Sequence, residues 1–524
     1  MMLFNFFNSR FFLVFLFPLF LGTLTIFTFQ PFNYSYLNFF IIPSLFLTTT
    51  YVQKKSKNTY REKPYLLNLF LIGYLFGVGF FLTGTYWISN SLTFDESFKF
   101  LIPFALVGLP IFLGLFFGLS ILLAGPFIKN NFISVLLFCS ALAFVDFLRA
   151  KLFSGFPWNL WAYSWSWKPE LLQGLSHIDF FSFNYLTILF FCSPLLLIFK
   201  KKKEIIIFLI LLTIFFGNYI YGSSIIKNNN NKIINLDLNS ENSIYTKIIS
   251  PNFDLEYNLT ESNIEENILK LIKYSDPDKS KKTLFVWPEG IFSGYHFEQI
   301  KNFEYLFKEA FADNHIVLFG VNYEVSRDDQ IDTFNSLVIV NNKLEVLFKY
   351  NKIKLVPFGE FLPFENILNK IGLKKITQGH GSFKSGKDKN IFLYESLKLL
   401  PLICYEIIFP EMVKSNEEKN LIVNISQDAW FGKTVGPYQH FAKAIFRAIE
   451  SEAFLVRSAN QGLSAFIDNK GIVKKVLKPN EVGSIELNVP FINNEKKIKK
   501  FNLIFFALLI TSLSIFFVLR KYEK

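Results

Sequence analysis

The sequence predicts a polytopic α-helical membrane domain joined to one large layered α/β domain outside the membrane, and three observations predict it. Hydrophobic residues make up 51% of the 524-residue chain and charged residues only 18%, a balance that is too apolar for a soluble protein of this length. Mean hydropathy is +0.31. Several apolar runs reach the roughly 20 residues that a spanning helix needs. The one long polar segment, residues 222–500, alternates strand-like with helix-like patterns.

The spanning runs fall at about 11–29, 33–52, 65–89, 100–128, 131–148, 180–199, 204–221 and 501–519, eight in all. The first is like a signal peptide in position, but no A-x-A-like cleavage site follows it and further spans come at once, so it is read as retained. The formal charge of +12 is expected to flank spans rather than to bind nucleic acid. The basic stretches "KKSKNTYREK", Lys200–Lys203 and "RKYEK" fall on one side if the N-terminus is cytoplasmic, and the opposite loops "QPFN" and "NSLTFDES" lack Lys and Arg. Two features run against this orientation: "KKIKK" before the last span, and Arg149 and Lys151 at a predicted outer boundary. The expected organisation is residues 1–221 with seven spans, an extracytoplasmic domain at 222–500 that follows a linker at Asn228–Asn231, and a closing span with a short cytoplasmic tail at 501–524.

In the outer domain the expected strands are "YTKIISPNF", "KTLFVWPE", "HIVLFGVNY", "NSLVIVNN", "LPLIC", "LIVNIS" and "GLSAFIDN". Apolar residues at helical spacing mark "ESNIEENILKLIKY", "FEQIKNFEYLFKEAFAD" and "YQHFAKAIFRAIESEAF" as helices. Glu289, Cys404 and the pair Gln427–Asp428 each follow an apolar strand. Ligands of open α/β sheets bind outside the strands' carboxyl ends, so these residues are expected to share a crevice. Cys139 and Cys192 lie in predicted spans, which leaves Cys404 without a disulfide partner in a compartment that favours disulfides. It is either a small buried hydrophobe or a nucleophile. As a nucleophile it needs a base and a positive charge. Glu289 is suited to the first role and Lys352 or Lys354 to the second, although Glu289 could equally pair with a surface lysine. His315 reads as structural and His440 as a residue on a helix face. His380, in "QGHGSF", is the histidine that would compete for a Cys/His pair. With no H-x-x-x-H or C-x-x-C pair and no Walker or Rossmann glycine pattern, neither metal nor cofactor is expected.

"VWPEG", "YNKIKLVPFGEFLP", "ICYEIIFPE" and "NISQDAWFG" together resemble the carbon–nitrogen hydrolase, or nitrilase, superfamily. The longer stretches "LVPFGEFLP", "DAWFGKTVGPYQHFAKAIFRAIE" and "LVRSANQGLSAFID", with "GTYWI" and "FPWNLWAYSW" in the membrane part, are similar to the bacterial apolipoprotein N-acyltransferases, and this resemblance covers essentially the whole chain. It implies a nitrilase-like αββα sandwich with Glu289 as general base, Lys352 as catalytic lysine and Cys404 as nucleophile. It also implies supporting roles for Glu360, Tyr405 and Glu406. It implies an inner-membrane, monomeric enzyme that moves an acyl chain from a phospholipid, typically phosphatidylethanolamine, through a Cys404 thioester to the α-amine of a diacylglyceryl-cysteine lipoprotein. One departure is local: the family's Gln-Gly-Asn after the first strand is here Ser250-Pro251-Asn252, and the tryptophan that follows is absent. Trp158, Trp161, Trp165 and Trp167 crowd the outer loop 149–179, as an interfacial aromatic belt or as a substrate guide. The alternatives are a membrane-tethered amidase- or nitrilase-type hydrolase and a non-catalytic membrane scaffold.

Overall fold

The computed structural model describes residues 6–59, 65–236, 238, 241–256, 259–327, 330–363, 365, 382–414, 417–492 and 502–521. His380, the "KKIKK" stretch and Lys524 lie outside them. The chain divides into two compact units, one of Met1–Asn90, Lys99–Ile226 and Ile498–Lys524, the other of Ser91–Phe98 and Lys227–Lys497.

The first unit is helical. Helices α1 (Phe17–Leu24), α2 (Asn38–Thr59), α3 (Tyr65–Thr85), α4 (Ile102–Ala124), α5 (Phe132–Lys151), α6 (Phe180–Phe191), α7 (Lys202–Ile234) and α11 (Leu503–Arg520) carry its apolar runs. With their flanking turns they make, among the described residues, eight helical segments long and apolar enough to cross a membrane, one for each run in the sequence. α3 and α4 pack closely because glycines face each other. A Cβ on Gly77 would stand 2.8 Å from the Gly114 Cα, a contact that only small residues permit.

Arg149 is not a free juxtamembrane charge. It is buried, its guanidinium bonded to Asp146 at 3.0 Å and to the carbonyls of Phe156 and Trp158 at 2.7 and 2.8 Å. Its charge is satisfied locally, which accounts for Arg149 but leaves Lys151 at the same boundary as a feature that runs against the orientation rule. The tryptophans of that loop are mostly interior as well. Trp158 packs on Trp87 with ring centroids 4.6 Å apart, and Trp161 packs among Phe76, Phe80 and Phe117. Trp165 is buried too, and of the four only Trp167 is exposed. An interfacial belt therefore describes one ring, not four.

The Asn228–Asn231 stretch, expected as a linker, is helical: α7 continues to Ile234. From Lys227 on, α7 belongs to the second unit, and there the side-chain amides of Asn229 and Asn469 bond each other in both directions, at 2.9 and 3.1 Å, a tertiary anchor that the composition does not advertise.

The second unit is a four-layer sandwich. Its first sheet runs β12 (Gly483–Pro490), β1 (Ser243–Ser250), β2 (Thr283–Val286), β3 (His315–Arg327), β4 (Gln330–Val340), β5 (Val346–Asn351). Its second runs β11 (Val473–Leu477), β10 (Ser464–Ile467), β9 (Phe454–Asn460), β8 (Leu421–Gln427), β7 (Leu397–Ile403), β6 (Phe392–Tyr394). Strands β1, β2 and β3 are parallel, as are β7, β8 and β9; the flanking strands are antiparallel. Period-two alternation builds the layers. Leu284 and Val286 join Leu399, Val423 and Val456 in the core between the sheets. Phe285 and Trp287, one residue out of phase, face the other way and pack with Ile264, Ile268 and Leu271 of α8 (Glu261–Ser275) and Phe307 of α9 (Glu304–Ala310). Helix α10 (Gly436–Ser451) packs on the second sheet. The result is the αββα arrangement that the resemblance implied.

All seven expected strands are present, but β5, β6, β9, β11 and β12 were not foreseen. The helical pattern at 297–313 is interrupted by a 3-10 turn at Lys301–Phe303, and the pattern at 438–454 ends at Ser451, so that Phe454 begins β9.

Candidate active site

The expected crevice of one open sheet is instead a seam between two sheets. Glu289 lies just past β2 and Lys352 just past β5, in the first sheet; Cys404 follows β7 and Gln427 ends β8, in the second. The backbone N–H of Gln427 donates to Glu289 Oε2 at 3.0 Å and so joins the sheets at the site. Gly290 makes that approach possible. Its φ is +74°, and a Cβ there would meet the Gln427 amide at 2.8 Å.

Lys352 is buried between two carboxylates. Its Nζ donates to Glu360 Oε1 at 2.8 Å and stands 3.4 Å from Glu289 Oε1. Asn335 Nδ2 donates to the same two oxygens at 2.7 Å each. Glu360 Oε2 in turn accepts the Val356 N–H at 2.8 Å, which closes the turn that carries it. Burial works against the lysine's charge, but the two carboxylates outweigh it and raise its pKa, so the ammonium stays charged. Lys354, the alternative cation, points elsewhere: it is partly exposed, 3.8 Å from Glu411 and above the Phe409 ring.

Cys404 sits at a sharp bend with φ +45°, a left-handed backbone that costs a side-chain-bearing residue energy and that clusters at functional sites. Burial pushes its thiol pKa up, the Glu289 charge adds to this, and the Lys352 charge and a Ser426 hydrogen bond oppose it. The thiol is therefore protonated at rest, within reach of the fields of both the carboxylate and the ammonium.

Glu406, fully buried, ties the two halves together. Its Oε1 accepts from the N–H groups of Ile353 and Lys354 at 2.7 and 3.1 Å and from the Tyr350 hydroxyl at 2.8 Å; its Oε2 accepts the Ile403 N–H at 2.8 Å. One carboxylate thus holds the residues that follow Lys352 against the residue that precedes Cys404. Burial raises its pKa, and the three backbone bonds oppose the rise. Tyr405 packs its ring edge-on to Phe409, with centroids 5.1 Å apart. The segment that departs from the family pattern is anchored close by. Asn460 Nδ2 bonds both the Phe253 carbonyl, at 2.8 Å, and Gln427 Oε1, at 2.9 Å.

Roles for Asn335, Tyr350, Ser426 and Arg457 escape the sequence reading, which takes His440 only as a residue on a helix face. Asn335 opens an ordinary strand pattern and Tyr350 precedes Lys352 in a quoted stretch, and neither position by itself signals its polar contact. His440 is fully buried with Asp428 and Arg457. His315 is structural, accepting the Ala312 N–H at 3.1 Å, and His296 lies 3.3 Å from Glu324 at the surface.

This geometry agrees with two family profiles. "Apolipoprotein N-acyltransferase N-terminal domain" matches residues 21–193 and "Carbon-nitrogen hydrolase" matches residues 254–490. Among solved structures, an amidase from Nesterenkonia sp. is 14% identical, with TM-score 0.36, over 51% of this chain and 98% of its own. Nit3 of Saccharomyces cerevisiae is 14% identical, with TM-score 0.36, over 48% and 90%. The apolipoprotein N-acyltransferase of Rickettsia prowazekii is 31% identical over 460 residues, 86% of this chain and 88% of its own. That of Allorhizobium ampelinum is 32% identical over 432 residues, 80% and 79%. With a buried Glu–Lys–Cys cluster on an αββα sandwich, eight apolar helices and such relatives along most of its length, the chain belongs to the apolipoprotein N-acyltransferase family.

Proposed function

We propose that this protein is a phospholipid:apolipoprotein N-acyltransferase, with Glu289, Lys352 and Cys404 as its catalytic residues and Glu360, Tyr405 and Glu406 in support. The observation that carries the reading is the buried cluster in which Lys352 bridges Glu289 and Glu360 while its charge and that of Glu289 act on the Cys404 thiol. Glu289 takes the thiol proton as Sγ attacks the ester carbonyl of a membrane phospholipid, with phosphatidylethanolamine as the typical donor. Lys352 and the backbone N–H of Tyr405 stabilise the oxyanion. One such donor is worth about 3–4 kcal/mol. The C–O bond breaks, the lysophospholipid leaves with the proton from Glu289, and an acyl thioester remains on Cys404. The α-amine of a diacylglyceryl-cysteine lipoprotein then attacks the thioester. Its proton passes through Glu289 to the departing sulfur, and an N-acylated lipoprotein is released.

The proposal extends to organisation. Residues 1–221 form the membrane domain, 222–500 the catalytic domain on the extracytoplasmic side of a bacterial inner membrane, and 501–524 the closing span and tail, in a monomer. Both substrates are lipid-anchored, so a catalytic domain tethered to the bilayer meets them without extracting them. The test supplies phosphatidylethanolamine micelles and a diacylated lipopeptide to the full chain and to Glu289→Gln. The expected result is acylation of the peptide amine that Glu289→Gln loses while it remains folded and inserted, as a cooperative thermal transition in detergent shows. Release of free fatty acid to water at the same rate with or without peptide would support a hydrolase instead.

A further inference from the structure

Behind the nucleophile, on the α10 side of its turn, lies a buried polar cluster that the reaction as described does not use. Arg457 Nη2 donates to Asp428 Oδ2 at 2.8 Å and stands 3.0 Å from Oδ1, which accepts from the Ser426 hydroxyl at 2.6 Å. Arg457 also donates from Nη1 to Asn424 Oδ1. His440 completes the cluster from α10, its ring edge-on to Phe431 with centroids 5.2 Å apart. Its Nε2 stands 3.2 Å from the carbonyl oxygen of Cys404, and its Nδ1 stands 3.0 Å from Arg457 Nη2 and 3.1 Å from Asp428 Oδ1.

The tautomer follows from what each partner can do. A carbonyl oxygen only accepts, so Nε2 must carry the proton that faces Cys404; a guanidinium only donates, so Nδ1 of a neutral ring accepts from Arg457. Asp428 does not need the histidine as a donor, because Arg457 and Ser426 already serve both of its oxygens. Burial and the Arg457 charge push His440 down to about 4 against the pull of Asp428, so the ring is neutral at ordinary pH. A neutral, buried imidazole that faces a backbone carbonyl is poorly placed to act as a general base toward the thiol.

The Cys404 carbonyl and the Tyr405 N–H belong to one planar trans peptide and point in opposite directions. Whatever fixes the carbonyl therefore fixes the direction of that N–H. The bend at Cys404, with φ +45°, is a conformation that the surrounding structure must impose.

We propose that His440 is a positioning residue for the oxyanion site: its Nε2–H grips the Cys404 carbonyl and thereby aims the Tyr405 N–H at the developing charge. This rests on the reading of Cys404 as the acyl carrier. Arg457 sets the tautomer, and Asp428 holds Arg457 in place. The role differs from that of Lys352 and Glu289, because His440 touches neither the thiol proton nor the acyl group.

The test separates acylation, which needs the oxyanion donor, from alkylation, which needs only the thiol. The full chain in detergent is given phosphatidylethanolamine micelles, and the thioester on Cys404 is timed; iodoacetamide times the thiol in parallel. His440→Leu is expected to slow thioester formation by about 100-fold or more, the scale of one lost oxyanion donor, while alkylation stays within about threefold. His440→Gln, which can still accept from Arg457 and donate to the carbonyl, is expected to recover at least tenfold of that loss. If His440→Leu does not fold, His440→Asn, polar but too short to reach the carbonyl, takes its place against His440→Gln. Thioester formation within threefold of the native protein in the leucine or asparagine variant overturns the proposal. So does alkylation that falls as far as acylation, and so does a glutamine variant no better than the others. The Cys404→Ala control distinguishes the two levels. An adduct that survives it refutes Cys404 as carrier and this proposal with it, whereas an adduct that it abolishes but His440→Leu leaves untouched overturns the positioning role alone.

Discussion

Replacing Lys352 with methionine keeps most of the side chain's length and removes its charge from between two carboxylates. At an effective dielectric of about 20, the ammonium's attraction is about 6 kcal/mol to Glu360 at 2.8 Å and about 5 kcal/mol to Glu289 at 3.4 Å, before the cost of burying all three groups. Desolvation offsets much of this, and removing one partner of a buried pair costs about 3–5 kcal/mol. The variant also leaves Glu289 and Glu360 on the same Asn335 amide, 2.7 Å from each, with no cation between them. One of the two should then hold a proton at a pH above the ordinary glutamate range. The sign follows: a folded-state carboxyl pKa raised above its unfolded value means that stability is gained as pH falls through the raised value. Lys352→Met should therefore lower the unfolding temperature markedly at pH 8, and part of the deficit should be recovered by pH 5. Adding Glu360→Gln, which deletes one of the opposed charges, should recover some stability but no activity. Lys354→Met should leave unfolding and acyl transfer near those of the native protein. Thermal unfolding in detergent at both pH values, with acyl transfer to a lipopeptide, reads all four. An undiminished unfolding temperature in Lys352→Met, or a double variant less stable than the single, would refute the charge-balance argument. Full activity in Lys352→Met together with its loss in Lys354→Met would reassign the catalytic lysine.

Glu406→Ala strands three backbone N–H donors and the Tyr350 hydroxyl, and should cost about 3–5 kcal/mol of stability along with activity; a variant that unfolds like the native protein would show that the carboxylate is not the clamp between β5 and β7. His440 is held near 4, so acidification from its ordinary value near 6.5 protonates this site in the unfolded chain but not in the folded one, and stability falls over that interval. Asp428, held down to about 2 because the Arg457 charge outweighs burial, extends the loss from the ordinary carboxylate range downward. His440→Gln should remove the component between pH 6.5 and 4, and native and variant proteins whose unfolding temperatures fall in parallel there would contradict the assignment. Reporter fusions should place residues 200–203 in the cytoplasm and residue 300 outside it; a cytoplasmic reporter at residue 300 would invert the orientation.

What the sequence disclosed is what local chemistry writes locally. Each spanning helix is a contiguous apolar run, and Glu289, Lys352 and Cys404 each stand beside a short distinctive motif at a strand end. What stayed hidden depends on distant partners. β5 is an edge strand with mixed exposure, so no clean period-two alternation marks it. β12 pairs with β1 from the far end of the domain, Ser243 opposite Pro490, and no local pattern signals that pairing. His440 looked like a residue on a helix face because its partners, Asp428 and Arg457, come from β8's end and β9. The asparagine run at 228–231 read as a linker because asparagine is a weak helix former; its helix is pinned by Asn469, 240 residues on. Arg149 looked like a topological exception until the loop carbonyls that it binds were visible.

The central claim is that Cys404 carries the acyl group covalently, and mass spectrometry of the intact protein tests it most directly. Incubated with phosphatidylethanolamine and no acceptor, the protein should gain the mass of one fatty acyl chain. Neutral hydroxylamine should remove it, since thioesters yield to that amine and amides do not, and a diacylglyceryl-cysteine peptide should discharge it onto its α-amine. The adduct should vanish in Cys404→Ala and persist when Cys139 or Cys192 is replaced. An enzyme that transfers acyl chains to the peptide yet never shows this adduct, or shows it undiminished in Cys404→Ala, would contradict the account.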